Sequence, residues 1–152
     1  MPISSNLGPE FAQEDIERRF AAMGARFSVL EEAGATDAAA RALDDGQAVG
    51  WFQGRMEFVP RALGARSILG DPRSPTMQKM LNLKVKYRES FRPFAPSVLR
   101  EDVAEWFELD TDSPYMLLVA SVREDHRRPM SESERALFGI DKLNVPRSTI
   151  PW

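Results

Sequence analysis

The residues best suited to chemistry lie between Gly50 and Val98, in GWFQGRMEFVPRALGARSILGDPRSPTMQKMLNLKVKYRESFRPFAPSV. Nine are basic (Arg55, Arg61, Arg66, Arg73, Lys79, Lys84, Lys86, Arg88 and Arg92) and three acidic (Glu57, Asp71 and Glu89), a net +6. The whole chain has 20 basic and 23 acidic residues, which leaves 11 against 20, or −9, for the remainder. A positive centre in a mildly acidic protein points to a local anion site rather than a general polyanion surface. A solvated charged face is the plainer reading of any such cluster. Here, however, the cations are threaded with Gly, Pro and aromatic residues and abut apolar strand candidates.

Two segments carry the pattern. In GRMEFVPRALG, backbone N–H groups of a loop entering a helix can hold an anion, and Arg61 in the first turn adds a two-pronged donor. Lys84-Val85-Lys86-Tyr87-Arg88 alternates cations with apolar groups. Extended, it lines three cations on one face; helical, it puts Lys84 and Arg88 together with Lys86 opposite. Arg88, Glu89 and Arg92 have the spacing of structural ion pairs, and Glu57 could hold an arginine in place. His126, in EDHRRP, reads as an exposed loop residue without a role, and Met77 and Met80 as core packing. No nucleophile with a base, and no Walker-type phosphate loop, stands in the chain. An anion site without a nucleophile suggests electrostatic stabilisation of a phosphate or of developing charge.

The elements that must position these residues follow from periodicity. Helical spacing of Ile16, Phe20 and Met23 predicts a helix over 12–23, ended by Gly24. A short strand is expected at 25–30. Thr36 or Asp37 is expected to cap a second helix that Gly46 terminates. Residues 47–53 read as a buried strand, and Pro60 as the start of one helical turn. A strand at 67–70 and a helix opening at Ser74-Pro75 follow, the helix ending near Arg88. Residues 91–99 must be extended, since Pro93 and Pro96 cannot sit inside a helix. A short amphipathic helix is expected over 101–108, and the clearest strand over 115–122. Ser131 and Glu134 predict a capping box for a helix near 131–138. Ile150-Pro151-Trp152 reads as the start of another strand. Strands alternating with helices argue for α/β or α+β, with antiparallel or mixed pairing.

Composition bounds the rest. The 43% hydrophobic and 28% charged content is that of a globular domain. With no cysteine and one histidine, disulfides, thiolate ligation and multi-histidine metal sites are excluded from this sequence. No apolar run approaches the roughly 20 residues of a membrane span. The opening MPISSNLGPEF does not read as a secretory leader, so a cytoplasmic location is expected.

The segments GWFQGRMEFVPRALGARSIL, LNLKVKYRESFRPFAPSVL and SPYMLLVASVR, in this order, resemble the C-terminal domain of the O-carbamoyltransferases. That family modifies nodulation factors and antibiotics. The resemblance runs from about Asn6 to about Arg123. It implies a YrdC-like α/β fold, a twisted mixed sheet with flanking helices, here incomplete. On that basis 1–11 is an N-terminal loop, 12–123 a partial YrdC-like domain, and 124–152 a polar tail leading into a missing half. It further implies that this part binds carbamoyl phosphate and, with ATP, forms a carbamoyl-adenylate. The carbamoyl group then passes to a hydroxyl on the acceptor, a transfer performed by a nucleotide-binding domain joined in cis or in trans. No cofactor is implied within this chain; ATP and a divalent metal belong to the nucleotide-binding part. The implied catalytic residues are Arg61 and Lys86, pointing into one cavity, with Arg55, Arg66, Arg88 and Arg92 binding substrate.

Three departures qualify the resemblance. The family has Gly where Val59 stands; if that glycine serves a positive φ or close ligand approach, Val59 distorts or crowds the loop. Ala65 replaces an Asn, which removes one amide. The third is the incompleteness itself, so full transfer by this chain alone is not expected. Two other readings remain: a degenerate, non-catalytic partner domain, and a YrdC-like RNA-binding module. The net charge of −3 argues against the second.

Overall fold

A computed structural model describes residues 5–149. They form a mixed α/β structure of six α-helices and one two-stranded antiparallel sheet, in two compact units that meet in sequence at Leu69 and Gly70.

In the first unit, helix α1 (Gln13–Ala22) carries Glu14 and Asp15 in its first turn, where the backbone dipole favours anions. Asp15 is bound by Arg18 and by Arg19 Nε, the latter at 2.8 Å. Gly24, at φ +68°, ends the helix as its sequence position requires. The expected strand at 25–30 does not form. The chain instead turns back along α1, with Ala25 N–H on the Phe20 carbonyl and the Phe27 ring edge-on to Phe20 at 5.7 Å. A strand needs a neighbour for its backbone groups, and 25–30 has none among the described residues.

Helix α2 (Glu32–Asp44) begins earlier than a cap at Thr36 or Asp37 would allow. Thr36 lies inside it, its hydroxyl donating to the Glu32 carbonyl at 2.9 Å, and Asp37 pairs with Arg41. The alanine-rich run has enough helix propensity to carry Gly34 through the first turns. Gly46, at φ +74°, stops it. Strand β1 (Val49–Phe52) pairs with β2 (Arg66–Leu69), Val49 facing Leu69 and Phe52 facing Arg66. β1 is not the buried strand expected over 47–53: Phe52 is 52% exposed. The one helical turn expected at Pro60 is also absent; residues 58–61 are a run of bends.

The N-terminal segment holds this connection. Gly8 N–H donates to the Met56 carbonyl (2.8 Å), Met56 N–H to Pro9 (3.1 Å) and Phe58 N–H to Ser5 (2.8 Å). Gly8 is buried, and a Cβ there would stand 2.7 Å from the Met56 carbonyl oxygen.

In the second unit, helix α3 (Met77–Met80) runs without a break into a π-helical turn, Leu81–Val85. Met77 and Leu81, each 2% exposed or less, form its apolar centre against Gly70. Residues 91–99 are irregular, as the prolines demand. The expected helix over 101–108 divides into a 3₁₀ turn, Arg100–Asp102, and helix α4 (Val103–Trp106). The expected strand over 115–122 is not one. Met116 takes φ +53°, which breaks the extended geometry, and Leu117 and Val119 are 76% and 99% exposed. Only its end is paired, with Val122 bridging Phe107 and Glu108 N–H on the Ser121 carbonyl at 2.8 Å.

The capping box forms as read: in helix α5 (Glu132–Ala136) the Ser131 hydroxyl accepts from Glu134 N–H, and the Glu134 carboxylate accepts from Ser131 N–H. A further short helix, α6 (Gly139–Leu143), was not legible in the sequence. The strand start read at Ile150-Pro151-Trp152 lies outside the described residues. Among the described residues no helix is long and apolar enough to cross a membrane.

Gly8→Ala must displace either the Met56 carbonyl or the N-terminal segment. It should lower stability by about 1–3 kcal/mol, read as a lower urea midpoint with an unchanged denaturant slope.

Candidate functional site

Each unit carries one cation-rich loop, and each loop is built around one buried polar side chain. In the first unit that side chain is Glu57, 2% exposed. Its Oε1 accepts from Leu63 N–H (2.8 Å) and Ala65 N–H (2.7 Å), and its Oε2 lies 3.4 Å from Arg66 Nε. Arg66 reaches back with Nη2 to the Val59 carbonyl, and Gly64 N–H donates to the Ser67 hydroxyl at 3.1 Å. The loop is therefore closed by its own side chains. Burial pushes the Glu57 carboxyl up, but backbone N–H groups of Glu57, Leu63 and Ala65, with the Arg66 charge, bring it below the ordinary carboxylate value.

This geometry revises the expected anion site. The N–H groups of Leu63, Gly64 and Ala65 are already spent on Glu57 and Ser67, and no helix start is present to present others. Anion recognition in this loop falls to side chains. Arg66, expected to bind substrate, is committed to Glu57 and Val59. Arg61 is exposed and makes no hydrogen bond or ion pair with any described residue. Val59 is not at positive φ; among the described non-glycine residues only Tyr87 and Met116 are. The backbone distortion considered for Val59 is thus absent. Ala65, 5% exposed, fits the packed floor of the loop.

In the second unit the buried residue is Asn82, 0% exposed. Its Nδ2 donates to the carbonyls of Ser90 (3.1 Å) and Arg92 (2.8 Å), and its Oδ1 accepts from Arg88 Nε (2.5 Å). The chain reverses at Tyr87, φ +50°, a left-handed position that glycine ordinarily fills after a helix. Arg88 N–H then bonds the Asn82 carbonyl at 2.9 Å. The 84–88 segment is accordingly neither a strand nor a regular helix. Lys84 lies in the π-turn, Lys86 follows it, and Arg88 is turned inward over the Phe94 ring at 4.9 Å.

The remaining cations sort by partner. Arg55 faces Glu10 (3.6 Å), Arg73 faces Asp71 (2.9 Å) and Arg92 faces Glu89 (3.2 Å). Lys86, like Arg61, is exposed and without a hydrogen bond or ion pair to any described residue. Arg61 belongs to the first unit and Lys86 to the second. Sequence reasoning named the cations but missed Asn82, since a lone Asn in an apolar helix carries no visible signal. His126 is not in an open loop: it closes a 3₁₀ turn, Glu124–His126, and stacks on Trp106 at 4.3 Å.

A family model described as "Carbamoyltransferase C-terminus" matches residues 40–136, which include both loops. The chain belongs to this carbamoyltransferase family. An uncharacterised protein of Synechocystis sp. is 56% identical over 149 residues, 97% of this chain and 24% of that protein. Nodulation protein NolNO of Sinorhizobium fredii is 44% identical over 124 residues, 79% of this chain and 18% of its own length. The 3'-hydroxymethylcephem-O-carbamoyltransferase of Amycolatopsis lactamdurans is 43% identical over 100 residues, 66% of this chain and 18% of the enzyme. The chain spans about a quarter or less of each of these relatives. The family's relatives thus include proteins named for nodulation and for antibiotic carbamoylation, as the resemblance implied.

Because the Glu57 carboxyl is depressed, its contribution is complete above the ordinary glutamate value of about 4.3. It is lost as pH falls from there through the folded value. Asp15, Asp71, Glu89 and Glu134 are lowered too and act in the same direction. Glu57→Gln should cost about 1.5–3 kcal/mol at pH 7. It should also flatten the loss of stability between pH 6 and pH 3, measured by urea unfolding.

Proposed function

We propose that this chain is the carbamoyl phosphate-binding part of an O-carbamoyltransferase. The observation that supports it is that Arg61 and Lys86, each on a loop braced by a buried polar residue, have no partner among the described residues to neutralise them. A cation with no carboxylate beside it is available to an anion, and a braced loop limits the entropy lost on binding. On either loop taken by itself, carbamoyl phosphate offers phosphate oxygens to the exposed cation. A guanidinium meets two oxygens through parallel N–H donors, whereas an ammonium acts as a compact point charge. When the carbamoyl–phosphate bond breaks, negative charge gathers on the departing phosphate. Cations already in place stabilise that charge without reorganising. On the second unit's loop, Arg88, half-buried with its outer nitrogens unbonded within the described residues, is a further donor.

Transfer onward to a hydroxyl belongs to a nucleotide-binding domain with ATP and a divalent metal. Among the described residues no group of three or more His, Asp or Glu side chains converges to hold an ion. The acceptor, whether a nodulation factor or an antibiotic, would be chosen by the same second domain.

Calorimetric titration with carbamoyl phosphate and with inorganic phosphate tests the reading. Binding should be measurable at low ionic strength and weaken by 0.15 M salt, where the screening length is about 8 Å. Arg61→Ala and Lys86→Ala should each lower affinity about tenfold, the equivalent of about 1.4 kcal/mol. If both variants bind like the parent, the cations are a solvated face and the reading is wrong.

A further inference from the structure

We infer that Asn82 is a positioning residue that sets Arg88 as a rigid two-pronged anion donor; this rests on the carbamoyl phosphate reading above. The side-chain amide is fully used. Both Nδ2 protons go to carbonyls, of Ser90 and Arg92, and Oδ1 takes the Arg88 Nε proton. Its orientation is therefore determined. A flipped amide would set NH₂ against Arg88 N–H and its oxygen against two carbonyls, losing three hydrogen bonds in a site with no water access. Asp in this place would direct an oxygen at two carbonyl oxygens, and an apolar residue would leave both carbonyls and Nε–H unpaired.

The consequence lies in Arg88. With Nε held by Asn82 and its guanidinium over Phe94, the side chain is fixed at two points, and its backbone N–H is held on the Asn82 carbonyl. What remains is the Nη1/Nη2 edge, which makes no hydrogen bond to any described residue. That edge has the spacing of two phosphate or carboxylate oxygens. Arg66 is the contrast. Its Nη2 is spent on Val59 and its Nε faces Glu57, so it braces a loop and has less left for a ligand.

The backbone is consistent with this assignment. Tyr87 holds a left-handed conformation that strains a non-glycine residue, and it is 87% exposed, so it gains little packing in return. The turn it makes delivers Arg88 to Asn82. The π-turn before it is a rare geometry that recurs at functional sites.

The test is a double-mutant cycle on the full chain, read by calorimetry with inorganic phosphate and carbamoyl phosphate at low salt. Arg88→Ala should lower affinity about tenfold or more, and Asn82→Ala nearly as much. The double variant should bind within twofold of Arg88→Ala alone, because Asn82 acts through Arg88. A merely structural Asn82 would weaken binding further in the Arg88→Ala background, and that result overturns the inference. Arg88→Lys keeps the charge and does not depend on Asn82→Ala folding. It should bind as weakly as Arg88→Ala, since an ammonium cannot use both Asn82 and the fork, and parent-like affinity overturns the inference. If Arg61→Ala and Lys86→Ala weaken binding while Arg88→Ala does not, the functional reading stands and the Asn82 assignment falls. If the parent binds neither anion, both fall.

Discussion

A buried carboxylate sets the terms for the first unit. Glu57 sits in the first half of the connection that leaves β1, and it takes the N–H groups of the residues about to enter β2. A carboxylate removed from water is costly unless several donors meet it. Here two backbone donors and the Arg66 charge do so, and the requirement in turn dictates the path of residues 57–66. The Gly8 contact holds Met56, the residue before Glu57, from the other side. The β1–β2 pair is short and half-exposed, so the loop's own bonds carry much of the order that a larger sheet would supply.

The same device recurs in the second unit with a neutral group. Asn82 gathers Ser90, Arg92 and Arg88 as Glu57 gathers Leu63, Ala65 and Arg66. The difference in charge decides what each arginine can do. A carboxylate beside Arg66 both fixes and neutralises it. An amide beside Arg88 fixes it without itself neutralising it, and the Glu89 carboxylate, which pairs with Arg92, only feels its charge. Two arginines with similar burial thus have opposite potential as ligands, and charge counting along the sequence could not separate them.

The departures from the family pattern also look different in three dimensions. Val59 occupies a position where no positive φ is needed, and its carbonyl serves Arg66 whatever its side chain. Ala65 contributes a backbone N–H to Glu57 and a carbonyl to Gln53, neither of which depends on side-chain identity. Neither substitution disturbs the hydrogen bonds that shape the loop, which weakens the case for a degenerate domain on structural grounds.

What the sequence determined by itself was local and periodic. The helix over Gln13–Ala22, its stop at Gly24, the Ser131–Glu134 capping box, the strand near Ser67 and the non-helical proline stretch follow from spacing, propensity and covalent geometry within a few residues. The positive centre and its family likeness were also plain there, because composition and motif order need no coordinates. The tertiary structure alone decided which candidate strands found partners: 25–30 and 115–122 have the propensity, but a strand exists only where a neighbour takes its backbone bonds. It alone decided that the N–H groups of Leu63, Gly64 and Ala65 are spent internally, and that Arg66 is neutralised while Arg61 and Lys86 have no partner among the described residues. These depend on contacts between residues whose pairing no local pattern encodes.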